Sequence, residues 1–217
     1  MHIDSTFIIL LAGDLTIDDR VLALCQSGRI IAADGGIKHA AKLNIEPELW
    51  LGDFDSTPDA LKEQYKHVQT MTFDRQKAMS DGALAVQTAL EKGATSIIFL
   101  GALGGSRNDH TIAVMNQMMQ LHKAGVETMM TSGLEECWPL DEGEFEIELP
   151  KGSLFSILPF EDLSGLSITG AEYPLDNIET EFGSTLTLSN ISKGQTKVSL
   201  SEGSAVFIAR PHDFSGV

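Results

Sequence analysis

The chain has 217 residues, 42% of them apolar, which is enough for one large or two small domains with a real core and excludes a mainly disordered chain. Its 31 acidic residues against 15 basic ones give a net charge of -16, which argues against a nucleic-acid or anionic-membrane partner, since both demand surplus positive charge. Cys25 and Cys137 are too few and too far apart for a disulfide framework or a Cys-based zinc site, and they fit a reducing, cytoplasmic setting.

The first apolar run, Phe7-Ile8-Ile9-Leu10-Leu11-Ala12, is too short to span a bilayer and follows Asp4 rather than a basic leader, so it reads as a buried strand. From there to about Thr131, short apolar runs alternate with amphipathic stretches, the pattern of a parallel sheet covered by helices. Strands are predicted at Phe7–Ala12, Arg29–Ala33, Leu49–Gly52, Val68–Thr72, Ser96–Gly101 and Glu127–Thr131. Helices are predicted at Asp18–Ser27, Ile37–Leu43, Pro58–Gln64, Asp81–Lys92 and Asp109–Ala124. Open sheets of this Rossmann-like, three-layer kind bind ligands beyond the carboxyl ends of their strands, where the chemically interesting residues of this chain fall.

Asp34-Gly35-Gly36 follows the second strand. Two glycines opening a helix let backbone amides approach a phosphate or sugar, with Asp34 reaching a ribose hydroxyl or a metal; a plain strand-to-helix turn capped by Asp34 explains the same residues equally well. Gly52-Asp53-Phe54-Asp55 ends the third strand with two carboxylates separated by one residue, a pair able to hold Mg²⁺, which takes one or two protein carboxylates plus water and substrate phosphates. After the fourth strand, Asp74 to Asp81 offers Lys77 as a point charge for phosphate and Asp81 as a third carboxylate, although Ser80 and Asp81 also suit a helix start with no further role. After the fifth strand, Gly104-Gly105-Ser106-Arg107-Asn108-Asp109-His110 combines a glycine cluster, an Arg for bidentate phosphate contact and a helix N-terminus, a credible anion site. Neither a P-loop nor a Gly-x-Gly-x-x-Gly fingerprint occurs.

Beyond Cys137 the rhythm changes to short alternating runs: Glu144–Leu149, Leu154–Leu158, Leu166–Thr169, Thr185–Asn190, Thr196–Leu200 and Ala205–Ala209. These predict a C-terminal antiparallel β-sandwich, with the boundary set at 1–140 and 141–217 in the Pro- and acid-interrupted stretch between Trp138 and Lys151.

Taken in order, Ala33-Asp34-Gly35-Gly36, Pro47, Gly52-Asp53-Phe54-Asp55-Ser56, Lys77 with Ser80-Asp81, and Gly104-Gly105 with Arg107 and Asp109-His110 closely resemble the thiamine pyrophosphokinase (thiamine diphosphokinase) family. Gly170-Ala171-Glu172-Tyr173-Pro174-Leu175 and Ser189-Asn190 continue the resemblance over nearly the whole chain. It implies transfer of diphosphate from ATP to the hydroxyl of thiamine, giving thiamine diphosphate and AMP. It further implies Mg²⁺ on Asp53, Asp55 and Asp81, phosphate contacts from Lys77 and Arg107, and a nucleotide crevice lined by Asp34, Gly35, Gly36, Gly104, Gly105, Asp109 and His110. Thiamine would meet Tyr173, Ser189 and Asn190, in a homodimer whose active site lies between subunits. Two departures stand out: Ala78 where an acid is usual after Lys77, and Ser106 within the more common Gly-Gly-Arg. A thiamine or nucleotide sensor disabled by Ala78, or a pyrophosphokinase for another small alcohol such as a pterin, are the competing readings.

Overall fold

A computed structural model describes residues 5–55, 57–72 and 79–216. It divides into two compact units, Met1–Gly133 and Leu134–Val217. The division falls seven residues before the boundary expected from sequence, because Glu136–Leu140 is a strand that pairs along its length with Ala205–Ala209 and so joins the second unit.

The first unit is built on six strands: β1 (Thr6–Leu10), β2 (Arg29–Ala33), β3 (Leu49–Gly52), β4 (Thr70–Thr72), β5 (Ser96–Leu100) and β6 (Glu127–Thr131). All pair in parallel, in the order β4-β3-β2-β1-β5-β6. Helices α1 (Asp19–Cys25), α2 (Ile37–Leu43), α3 (Asp59–Gln64), α4 (Asp81–Glu91) and α5 (Asn108–Lys123) fill the crossovers. Every residue of β1 and β5 is buried, which requires cover on both faces and explains why these strands are continuous apolar runs. Ile8, Leu10, Ala32, Trp50, Ile98 and Leu100 form one core with Ile37, Ala40 and Leu43 of α2 and Val21 and Cys25 of α1. The strand order reverses between β1 and β5, so the crevice that such sheets offer to ligands lies at the carboxyl ends of these two strands.

The second unit contains β7 (Glu136–Leu140), β8 (Gly143–Glu148), β9 (Leu154–Pro159), β10 (Leu163–Ala171), β11 (Leu175–Thr180), β12 (Asn190–Leu200) and β13 (Ala205–Arg210). Its pairings are all antiparallel. The long β12 serves two sheets: its start, Asn190-Ile191, pairs with β9, whereas Gln195–Leu200 pairs with β8, and β10 lies along its other edge. Phe155, Ile157 and Phe207 from one sheet pack with Leu166, Ile168 and Val198 from the other, which makes the sandwich core. One expected strand, Thr185–Asn190, is instead a turn: Leu188 N–H returns to Thr185 O at 3.2 Å, and Leu186 and Leu188 stay exposed. Its alternation of apolar residues is not a buried face.

Among the described residues no helix is long and apolar enough to cross a membrane. Cys25 and Cys137 are free and buried, and burial pushes the Cys25 thiol up to about 11.

Gly36 fixes how tightly α2 sits on the sheet. A Cβ there would lie 2.0 Å from the carbonyl oxygen of Leu10, a backbone atom that cannot swing aside. Gly36→Ala is therefore expected to destabilise the protein by roughly 2–4 kcal/mol, read as a lower unfolding midpoint in denaturant at unchanged slope.

Candidate functional site

Four loops leave the carboxyl ends of β1, β2, β3 and β5, and the backbone itself brings them together. Gly13 N–H donates to Gly101 O at 3.0 Å, tying the β1 loop to the β5 loop. Gly101 has φ +71, and a Cβ there would stand 2.6 Å from Leu11 O and 3.1 Å from the Nε2 of His39. Positions 104 and 105 face Asp14 and Gly13, and position 35 faces Ala12. The strand-end loops thus meet largely through main chain, at the place where sheets of this kind receive ligands and where backbone amides can meet anionic oxygens.

Asp34 lies at the β2 end in a left-handed conformation, φ +43, which Asp tolerates better than most residues. Its carbonyl accepts from Trp50 Nε1 at 3.0 Å, and its side chain lies against Gly52, where a Cβ would be 3.3 Å from Oδ1. Asp34 is thereby seated beside the residue that precedes Asp53. The Asp53–Asp55 turn is tightened by Asp55 N–H, which donates to Asp53 Oδ1 at 3.1 Å, and by Phe54, whose φ is +57 and whose ring packs 4.5 Å from Trp50. Asp53 is half-buried and Asp55 exposed.

Asp81 occupies the first turn of α4, where the helix dipole favours it, after Ser80, which caps the helix by accepting from Ala83 N–H at 3.2 Å. Lys77, with Ser56, Asp74 and Ala78, lies outside the described residues. Among the described residues no three Asp, Glu, His or Cys side chains gather into a metal-binding group, so Asp53, Asp55 and Asp81 do not by themselves form a three-ligand cage. The donor set still suits a hard cation. Two carboxylates on one turn at the rim of a crevice meet what Mg²⁺ asks of a protein when phosphates and waters complete its shell.

At the β5 end Arg107 and Asp109 form a bidentate pair, Nε to Oδ1 at 2.9 Å and Nη2 to Oδ2 at 2.7 Å, both side chains largely exposed. The hydrogen bond from Arg107 holds the Asp109 carboxyl down to about 2, so the pair is charged throughout the useful pH range. Asp109 thus holds the guanidinium at the first turn of α5. Gly104, Gly105 and His110 are exposed on the same loop and turn.

In the second unit Tyr173 is 62% exposed, and Asn190, only 5% exposed, holds its backbone. Asn190 Oδ1 accepts from Tyr173 N–H at 3.1 Å and from Ile191 N–H at 2.9 Å, while Nδ2 donates to Tyr173 O at 2.8 Å. The amide of Asn190 is therefore engaged with the main chain and fixes the backbone from which the exposed Tyr173 side chain leaves. Ser189, at φ +58, donates its N–H to Ser156 Oγ at 3.0 Å and leaves its hydroxyl at the surface.

Sequence reasoning passed over the β1 loop and the two residues that reach it from α2. Lys38 Nζ donates to Ala12 O, and His39, 1% exposed, donates from Nε2 to Gly13 O at 2.9 Å. The available signal was positional: Ala12-Gly13-Asp14 repeats the strand-then-Gly/Asp pattern of the other loops, and Lys38-His39 follows directly on Gly35-Gly36. Burial pushes the His39 imidazole down to about 4; the bond to Gly13 and the charge of Asp14 oppose this, and Lys38 and Lys42 reinforce it.

These features define a two-domain protein that pairs a doubly wound α/β domain, with acids and glycine loops at its strand ends, with an antiparallel β domain presenting an exposed tyrosine. Residues 22–130 match the family model described as "Thiamin pyrophosphokinase, catalytic domain", and residues 144–206 match "Thiamin pyrophosphokinase, vitamin B1 binding domain". The chain belongs to the thiamin pyrophosphokinase family and is a thiamine pyrophosphokinase enzyme; the family uses ATP. It is 29% identical over 164 residues to the thiamine pyrophosphokinase of Bacillus subtilis, covering 74% of this chain and 76% of that one. The crystal structure of the Bacillus subtilis protein shares the fold at a TM-score of 0.82 and 24% identity, covering 96% of this chain and 100% of that chain. That of the Geobacillus thermodenitrificans protein does so at 0.80 and 23%, covering 98% and 99%.

The low His39 value carries a stability consequence. Between pH 6.5 and about 4 the unfolded chain binds a proton that the folded one refuses, so stability falls as the pH is lowered through that window and is unaffected by this group above it. The loss attributable to His39 is expected to total roughly 2–3 kcal/mol, and His39→Gln, which has no titrating group, is expected to lose that much less between pH 7 and 4 in denaturant titrations.

Proposed function

We propose that this chain transfers the terminal diphosphate of ATP intact to the hydroxyl of thiamine, giving thiamine diphosphate and AMP, and that the strand-end crevice of the first unit is where the nucleotide reacts. The single observation behind this reading is the match of both family domains, in order, over residues 22–130 and 144–206. The domains take the corresponding roles, ATP and metal on the N-terminal side and thiamine on the C-terminal side.

Diphosphoryl transfer asks a protein mainly for alignment and charge neutralisation. Asp53 and Asp55 are the residues that would hold Mg²⁺, with Asp81 reaching it directly or through water. When bound, the ion would neutralise phosphate charge. Arg107, held by Asp109, offers its guanidinium to phosphate oxygens, and Lys77 its ammonium. Asp34, Gly35, Gly36, Gly104, Gly105 and His110 line the nucleotide crevice. One of Asp53, Asp55 and Asp81 receives the proton of the attacking hydroxyl. Thiamine carries a cationic thiazolium and a flat pyrimidine; Tyr173 provides an aromatic face for them, held in place by Asn190, and Ser189 a hydroxyl. The active unit is a homodimer with its active site between subunits, working in the cytoplasm, where the two free cysteines remain reduced.

Purified protein with ATP, Mg²⁺ and thiamine is expected to release AMP in step with thiamine diphosphate, and to release none with a pterin alcohol in place of thiamine. Asp53→Asn and Asp55→Asn are expected to lower kcat by about 100-fold or more with an unchanged circular dichroism spectrum. A fully active Asp53→Asn,Asp55→Asn double variant would remove these acids from the mechanism. If the active site spans two subunits, mixing inactive Asp53→Asn chains with Tyr173→Ala chains restores part of the activity; failure to do so after subunit exchange would argue for a site within one chain.

A further inference from the structure

The loop after β1, Leu11 to Asp14, carries none of the residues assigned above, yet both glycine loops rest on it. A Cβ at position 35 would meet Ala12 at 3.3 Å, one at 101 would meet Leu11 O at 2.6 Å, and one at 105 would meet Asp14 N and Gly13 Cα, each at 3.6 Å. The loop itself is held from two sides. Its amides face β5, with Leu11 N–H on Leu100 O at 2.8 Å and Gly13 N–H on Gly101 O at 3.0 Å. Two consecutive carbonyls are covered by two consecutive side chains at the start of α2, Ala12 O by the Lys38 ammonium and Gly13 O by His39 Nε2–H.

This arrangement matters because the crevice must accept a polyanion. A carbonyl oxygen without a donor, turned toward ATP phosphates, repels them; one already engaged by an N–H is largely neutralised. His39 does this while neutral, so it brings no counter-charge demand into the core, and its Nδ1 is buried without a hydrogen-bond partner among the described residues. An apolar residue of similar size would pack there without leaving that atom unsatisfied. The donor at Nε2 is what a histidine adds.

We propose that Lys38 and His39 are positioning residues for ATP: by holding the Ala12 and Gly13 carbonyls they seat the Gly104-Gly105 loop and keep bare carbonyl oxygens away from the polyphosphate. This deepens the functional reading above and rests on it.

The test compares Lys38→Met, His39→Leu and His39→Gln by calorimetric Kd for a non-hydrolysable ATP analogue with Mg²⁺, together with KM for thiamine. Lys38→Met is expected to weaken the analogue by about 5-fold and His39→Leu by about 10-fold or more, with thiamine KM within about 2-fold of the parent. His39→Gln, which restores an N–H near the same place, is expected to recover most of the affinity. Lys38 is half-buried at the rim, so its variant keeps the core intact and decides the matter alone if His39→Leu does not fold. Analogue affinity unchanged in Lys38→Met and His39→Leu, or a loss shared equally by thiamine, overturns the proposal, the second result marking a merely structural role. A parent protein that binds the analogue but makes no AMP sinks the kinase reading while leaving the affinity comparison decisive; one that binds no analogue sinks both.

Discussion

Backbone packed on backbone at the ends of the parallel strands is the constraint on which the first unit depends. At Gly36 and Gly101 the space that a side chain would fill holds a carbonyl oxygen of β1 or its loop. Residues with a Cβ would push these turns apart, and the crevice would then be lined by side chains instead of amides. The same closeness sets the end of β3, where a Cβ at Gly52 would stand 3.1 Å from the Cα of Asp34 and 3.3 Å from its Oδ1. The fold and the site are thus consequences of one packing condition, satisfied by small residues at the strand ends where α/β sheets receive ligands.

A chain of net charge -16 that takes ATP has to cancel unfavourable charge locally. Long-range attraction does not help it; surface charges beyond roughly 8–10 Å are screened at cellular ionic strength in any case. What counts acts at hydrogen-bond range, and there the strand ends offer the Arg107 guanidinium and the backbone of the glycine loops. The Arg107–Asp109 pair fits this economy. Asp109 partly neutralises Arg107 but also fixes its guanidinium by two hydrogen bonds, so less side-chain freedom remains to be lost when a phosphate arrives. The acidic exterior suits the second substrate, which is a cation.

Much of this was legible in the sequence. Strands β2, β3 and β6 and helix α2 fall on the residues predicted for them; β2 and β3 are short apolar runs that end at Asp34 and Asp53, a signal that needs no tertiary information. The crevice residues were legible because each follows such a run. Less was legible in the second unit. β7 contains Pro139 and β11 is rich in polar residues, so neither reads as a strand until its partner is known, while Thr185–Asn190 alternates convincingly and is a turn. Side-chain partnerships were invisible throughout. Nothing in the spacing says that the Asn190 amide is spent on the backbone of Tyr173, or that His39 reaches back 26 residues to Gly13.

The Asn190–Tyr173 contact shows why that distinction matters for function. An exposed aromatic ring is a good platform for a thiazolium only if it is already still, because ordering a free surface side chain and its loop on binding subtracts from affinity. Asn190 makes that ordering part of folding: its amide imitates a strand partner, accepting from the N–H and donating to the C=O of one residue, while its own side chain is buried at the start of β12. Lys38 and His39 do the equivalent for the nucleotide crevice, where main-chain oxygens rather than a ring must be held. In both units a polar side chain grips the backbone, Asn190 at Tyr173 and His39 at Gly13, and so fixes the local course of the chain.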